Sequence, residues 1–483
     1  MFLKGGLAAS VAPLISLTTC VAQDPTAEGS TRQPHEKLAL ALNDFITANY
    51  NQSLIKQRTI LRRGISQENL YEFEKKFNEL EQRFAEEPLG KKKQRLEACL
   101  EEHGLSAGIA NKLEQWLAGS PVQNDPTKEL AEFFEKHGLL FRNPINGLVR
   151  GYELIRAAPP EKITITLFGK EHNIAIRKIN DDLISHPVRY NAEQLPMLST
   201  ISSAYNPKTK LIEWRVHDAL KFANGMYESY DKNRKRIADD IKKPDFLDQF
   251  LESGNDLGSF APIDSGKRMG TEFIAHLSAQ LHHAALKDLY TASKTRQDFT
   301  TKLAARFDKD ILFHEGMHAV DLVELDGIQG LMSFLDKVVE KEKEKTRPKP
   351  TEKELVALKN ELIIIGYRDL EIRGYLSSMY HGQSALTLAQ IVGGIRPPVN
   401  IYCAAYQTII RNICNYMVNH KKDWPQFEIS ADTAAHDILK KFPRLMLEKK
   451  LTEDDLKRLA HSVFQDMYAG RTLNEHIEWW MQK

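Results

Sequence analysis

The stretch Ile311-Leu312-Phe313-His314-Glu315-Gly316-Met317-His318-Ala319-Val320 decides how this chain is read. Uncharged residues precede, fill and follow the pentapeptide His314–His318, so the segment reads as an inward-facing helix. Histidines four residues apart stand one above the other on a helix, where both imidazoles reach a single metal ion. Burying two histidines and a glutamate without a partner is costly, and a metal supplies one. Neutral imidazole is a good zinc ligand, and catalytic zinc usually takes three protein ligands and a water. Glu315 follows the first histidine directly, beside the open position. A carboxylate there can take a proton from zinc-bound water and pass it to a leaving amine. The pattern predicts Zn2+ at His314 and His318 with Glu315 as catalytic base; the competing reading is a core helix with satisfied histidines. Gly316 weakens the helix by about 1 kcal/mol relative to alanine and offers room where a substrate passes.

The third ligand must come from elsewhere. An H-E-x-x-H-x-x-G-x-x-H continuation fails, because Asp321 holds the glycine position and Glu324 the last one. Asp321 returns to the histidine face as either an acceptor for a ligand imidazole or a helix-surface aspartate. The better candidate lies in Asp369-Leu370-Glu371-Ile372-Arg373-Gly374-Tyr375, on a helix predicted over 352–380. Glu371 shares a face with the uncharged Ile364, Tyr367, Gly374, Tyr375 and Ser378, and a carboxylate on such a strip needs a partner. Asp369, on the strip of Leu362, Ile365, Ile372 and Leu376, is the runner-up ligand.

H-E-x-x-H followed some fifty residues later by an E-x-x-(A/G)-Y helix motif, here Glu371 to Tyr375, resembles the gluzincin branch of the zincin superfamily. It is especially similar to bacterial zinc metallopeptidases of unassigned substrate. The resemblance spans about residues 270–385. It implies His314, His318 and Glu371 as zinc ligands, Glu315 as base, and a peptide or protein as substrate. In such enzymes an edge strand upstream of the metal helix aligns the extended substrate by backbone pairing. Tyr375 stands where thermolysin-like members carry an aspartate, so that subgroup's bonding pattern around the ligands is absent. Tyr367, Tyr375, Tyr380 and His381 are the candidates for the oxyanion donor that peptide hydrolysis needs. A rival cluster, Glu272, His276 and His283 with His282 adjacent, could share one helix face, although a mixed helix surface is the plainer reading.

Bulk properties set the frame. The 483 residues allow two or three domains. Lys+Arg 66 against Asp+Glu 65 leaves a net charge of +1, so no global field points to nucleic acid or a membrane surface. Four cysteines without C-x-x-C spacing exclude a disulfide scaffold and a cysteine zinc site; Cys403 and Cys414 are expected to share one helix as buried residues. Residues 1–22 have the layout of an export signal, with Cys20 in a lipoprotein-like box and a possible lipid anchor. No later segment is long and apolar enough to span a bilayer.

A polar linker follows to residue 34. Region 23–125 is otherwise helical, with a seam at Leu70, Phe73, Phe77, Leu80 and Phe84. Region 126–260 carries two hairpins. One joins Ile163, Ile165 and Leu167 to Ile174 and Ile176; the other turns at Tyr205-Asn206-Pro207-Lys208, with Ile212, Trp214 and Val216 on one face. A zincin-like catalytic core is expected over 261–390, with helices at 271–290, 296–307, 311–325 and 352–380. The charged run Glu340–Lys345 reads as a solvated helix end before a proline loop. Gly393-Gly394 and Pro397-Pro398 open a helical C-terminal region, 391–483, with a helix capped at Thr452 and stopped at Gly470. The expected fold is α+β and predominantly helical, a zincin-like core with a small, mainly antiparallel sheet and helical flanking domains. The expected function is an exported, periplasmic or envelope-associated zinc metallopeptidase. The alternatives are a catalytically silent zincin-like scaffold or binding protein, which an intact Glu315 argues against, and a helical adaptor with an accidental motif.

Overall fold

The structure, a computed structural model, describes residues 34–56, 58–62, 67–117, 128–142, 149–190, 196–198, 204–206, 210–243, 245–253, 267–323, 327–345, 350–395, 401–430 and 433–482. The export-signal pattern over 1–22, the Cys20 anchor and the linker up to residue 33 lie outside them. In chain order the first elements are α1 (Pro34–Lys56), α2 (Arg58–Arg62), α3 (Gln67–Glu86), α4 (Leu89–Glu102), α5 (Gly108–Leu117) and α6 (Lys128–Glu135). The strands β1 (Leu140–Arg142), β2 (Val149–Ala157), β3 (Glu161–Leu167), β4 (Lys170–Tyr190), β5 (Pro196–Leu198), β6 (Ala204–Asn206) and β7 (Leu211–Arg215) follow. Next come α7 (Val216–Ile241), the pair β8 (Leu251–Ser253) and β9 (Lys267–Met269), α8 (Thr271–Ala292), α9 (Arg296–Val323) and α10 (Gly327–Lys345). The chain ends through α11 (Glu352–His381), α12 (Ser384–Gly393), α13 (Ile401–Asn419), α14 (Ala435–Leu439), α15 (Phe442–Leu447), α16 (Glu453–Tyr468) and α17 (Leu473–Gln482). The fold is predominantly helical α+β, and its strand pairs are antiparallel. Among the described residues no helix is long and apolar enough to cross a membrane.

Two compact units divide the chain, one of Met1–Pro159 with Arg177–Ser202, the other of Pro160–Ile176 with Ser203–Lys483. In the first, Leu38, Phe45, Leu96, Leu113 and Phe134 form a helical core that also takes in Phe141 and Leu154 from β1 and β2. The seam on α3 buries Phe73 and Phe77, ring centroids 4.5 Å apart, and half-buries Leu70, Leu80 and Phe84. Pro34 opens α1 instead of closing a linker; proline suits the first helical turn because its missing N–H has no partner there.

The second unit holds the motif. Its β3–β4 hairpin pairs Ile163 with Ile174 and Ile165 with His172 around the turn Phe168-Gly169. Both turn residues are left-handed (φ 47° and 82°), as a two-residue type I′ connection requires. In the second hairpin Tyr205 pairs with Ile212, while Pro207-Lys208 lies outside the described residues. The strand ends at Arg215, and Val216, expected on its apolar face, is the first residue of α7.

Where two helices were expected over 296–307 and 311–325, one continuous α9 runs. The intervening Asp308-Lys309-Asp310 looks like a break, yet both acids are used inside the fold. Asp308 accepts from Trp214 Nε1 at 2.8 Å, and Asp310 accepts from the Gln383 backbone N–H at 2.7 Å. The charged run to Lys345 ends α10 as expected. Helix α11 starts at a Thr351–Glu354 capping box, and α16 at the expected box of Thr452 with Asp455. Helix α16 stops at left-handed Ala469 and Gly470. Cys403 and Cys414 share α13, buried and unbridged. Helices α9 and α11 pack side by side and carry the cluster described next.

Candidate metal centre

His314 and His318 occupy successive turns of α9, and their rings meet edge to face, centroids 4.4 Å apart. Glu371 reaches them from α11: its Oε2 lies 3.4 Å from His314 Nε2 and its Oε1 3.8 Å from His318 Nε2. One donor atom from each of the three lies within 4.8 Å of the others. Donors bound tetrahedrally to one zinc at about 2.1 Å stand about 3.4 Å apart, so the spacing fits a single small cation. Two further observations fit a metal. Glu371 Oε2 is buried without a hydrogen-bond partner, and such an atom is costly to leave alone. Gly374, one turn past Glu371, lies flat against both imidazoles. A Cβ there would stand 2.8 Å from His314 Cε1 and Nδ1 and 2.9 Å from His318 Cε1.

The electrostatics separate the ligand group by role. Burial and the adjacent His314 push His318 down to about 3, leaving a neutral imidazole. Burial works to raise Glu371, but the two imidazoles outweigh it and hold the carboxyl below its ordinary value. Burial likewise lowers His314, and the Glu371 carboxylate, with Glu315 behind it, turns that into a net rise. Glu315 is pushed up to about 7 by burial, opposed by His314 and by the Tyr205 backbone N–H, which donates to Glu315 Oε2 at 2.7 Å. Tyr205 sits on β6, the last strand in its sheet order among the described residues, and its N–H on that strand is taken by the glutamate.

Other expectations resolve differently. Asp321 is buried, not on the surface, and accepts from Arg373 Nε at 2.8 Å. Asp369 is buried away from the cluster between Arg368 Nη2 at 3.0 Å and His476 Nε2 at 3.2 Å. Ile364, assigned to the Glu371 face, is half exposed. The space above Gly316 belongs to Ile165 of β3, whose Cδ1 would lie 2.5 Å from an added Cβ; no substrate passage opens there. Glu324 lies outside the described residues.

Of the oxyanion candidates, Tyr375 packs its ring 4.5 Å from that of His314, and its hydroxyl meets that of Tyr406 at 2.7 Å. Tyr380 stacks on Phe168 and His461, and His381 Nε2 accepts the Phe168 N–H at 3.0 Å. The rival cluster comes apart. His276 stacks on Phe250, His282 Nδ1 bonds the Ser278 carbonyl, His283 stacks on Tyr230, and Glu272 is exposed.

Three participants escape sequence reading. Tyr205 acts through its backbone N–H, which no side-chain pattern marks. Tyr406 comes from α13 and is found only through its contact with Tyr375. Gly374 does leave a signal, a glycine in mid-helix one turn from Glu371, but its meaning needs the neighbouring helix. Compared with protein-family models, curated proteins and solved structures, the chain matches none.

Proposed function

We propose that this chain is a zinc-dependent metallopeptidase, in keeping with its resemblance to the gluzincins. The observation that carries the reading is the convergence of His314, His318 and Glu371 on one point, with Glu315 on the same turn of α9. Zinc held there would polarise a peptide carbonyl and bring the pKa of water near 7.

The chain's own residues supply the rest. Glu315 can take up a proton and release it, and Tyr205 N–H fixes its carboxylate in place. Tyr375, kept protonated by burial and by Tyr406, packs its ring on His314 and would offer its hydroxyl to charge that develops on the substrate oxygen. The signal pattern over 1–22 adds an exported, envelope-side setting to this reading.

The test is metal analysis of the purified full chain together with peptide-library cleavage. Stoichiometric zinc, lost in Glu371→Gln, and cleavage abolished by Glu315→Gln with zinc retained are the expected results. Zinc without Glu315-dependent cleavage would favour a silent scaffold. A wild-type chain that takes up no zinc removes both.

A further inference from the structure

A cavity of about 320 Å³ opens between α7 and α8, closed on one side by Leu447 of α15. None of its lining residues belongs to the metal cluster. Its walls are aromatic and aliphatic. Tyr230 stacks on His283 at 5.6 Å and meets Tyr290 at 5.3 Å, while Ala238, Ile241 and Leu447 complete the apolar surface. Its rim is cationic, with Arg234, Lys235, Lys242 and Lys287.

The nearby acids neutralise two of these four cations, Arg234 and Lys242, and leave the other two. Asp231 is taken by the Tyr290 hydroxyl and by Arg234, Asp239 by Lys242, and Asp288 by Lys449. Among the described residues Lys235 and Lys287 make no ion pair, which leaves two positive charges over an apolar floor.

His283 forms part of the cavity wall. It is 5% exposed, and its buried Nδ1 has no hydrogen-bond partner. A polar group left so costs about 1–3 kcal/mol, an arrangement that folded proteins rarely keep without use. Burial lowers the imidazole's pKa, and Lys287 and Arg234 lower it further.

We propose that this cavity is a second binding site, for an aromatic phosphate monoester whose ring lies among Tyr230, Tyr290 and His283 and whose phosphate meets Lys235, Lys287 and Arg234. The apolar walls exclude a bare hydrated anion as the best ligand, because they would stay in contact with water. The two unpaired lysines match the near-double charge of a phosphate monoester better than the single charge of a carboxylate. Lysine and arginine both bind phosphate, arginine with the more directional fork.

The test titrates the full chain with phenyl phosphate, with inorganic phosphate and phenol as controls. Binding is followed by calorimetry and by the ring nitrogen resonances of His283. Phenyl phosphate is expected to bind at least about tenfold more tightly than either control, a difference of about 1.4 kcal/mol. It should also shift the His283 signals. The exposed pair Lys235→Ala with Lys287→Ala should weaken it at least about tenfold, with helical content and zinc uptake unchanged. No binding at millimolar phenyl phosphate would overturn the proposal. So would equal binding of inorganic phosphate, or affinity unaltered in the double lysine variant.

Discussion

Arg373 Nε donates to Asp321 Oδ2 at 2.8 Å, and this buried pair joins the two helices that carry the candidate ligands. Asp321 stands three residues past His318 and Arg373 two past Glu371. The guanidinium also donates to the Arg471 carbonyl at 3.0 Å and lies over the rings of Phe464 and Tyr468 at 5.2 and 4.9 Å. Removing one partner takes from the other the opposite charge that it faces in the interior. Arg373→Met is therefore expected to destabilise the metal-free protein by about 3–5 kcal/mol, and adding Asp321→Leu should recover most of the loss. Urea unfolding checks this; a double variant no more stable than the single one would sink it.

Gly374→Ala sets helix propensity against steric fit. Propensity favours alanine by about 1 kcal/mol. The added methyl, however, would sit 2.8–2.9 Å from atoms of both imidazoles, and His314 is backed by the Tyr375 ring. The rings must turn, which spoils the donor spacing. Zinc affinity is expected to fall at least about tenfold, or about 1.4 kcal/mol, while helical content holds. Competition with a zinc chelator measures it, and wild-type affinity in the variant would show that this contact does not set the rings.

Gly316→Ala is expected to change sign with its background. In the wild-type chain the new Cβ lies 2.5 Å from Ile165 Cδ1, and overpacking of this kind costs about 1–3 kcal/mol, outweighing the helix gain. Ile165→Val removes that carbon. In the valine background the same alanine should stabilise the protein, as chemical denaturation of the four chains in the cycle will tell. Equal effects in both backgrounds would mean that the strand–helix contact is not tight.

How much of this was legible in the sequence follows from which forces are local. The 3.6-residue repeat of α3, the Thr452 box and the alternation in β3 are local patterns, and each became the element it predicts. The H-E-x-x-H spacing put two donors together because a helix alone does so. Glu371 required a long-range step, and the uncharged strip around it pointed to that step. Asp308 and Asp310 show the limit. Two aspartates flanking a lysine look like a solvent-facing break, and only the approach of Trp214 and of the α12 N-terminus turns them into internal acceptors, Asp308 half-buried and Asp310 buried. Asp321 shows the same limit, since a buried acid is recognised by its cation, and Arg373 lies 52 residues away.

Asp310 makes one of those buried acceptors measurable. Its carboxyl is 6% exposed and pushed up to about 7, by burial first and then by the nearby Glu453, against the Gln383 N–H, the Thr387 hydroxyl and Lys309. An unfolded aspartate titrates near 3.9. Between about 4 and about 7 the native state therefore holds a proton that the unfolded state has lost. Stability must fall as pH rises through that window, by up to about 1.4 kcal/mol per pH unit, and level off above it. Asp310→Asn keeps an acceptor for the Gln383 N–H and carries no charge at any pH. The variant should match the wild type near pH 4 and exceed it in stability above pH 7, on the order of a few kcal/mol. Glu315, also raised to about 7, adds a slope of the same sign to both metal-free proteins, so the difference between them isolates Asp310. Urea unfolding of both chains across this range gives that difference directly. Parallel curves would place the Asp310 proton outside the folding equilibrium.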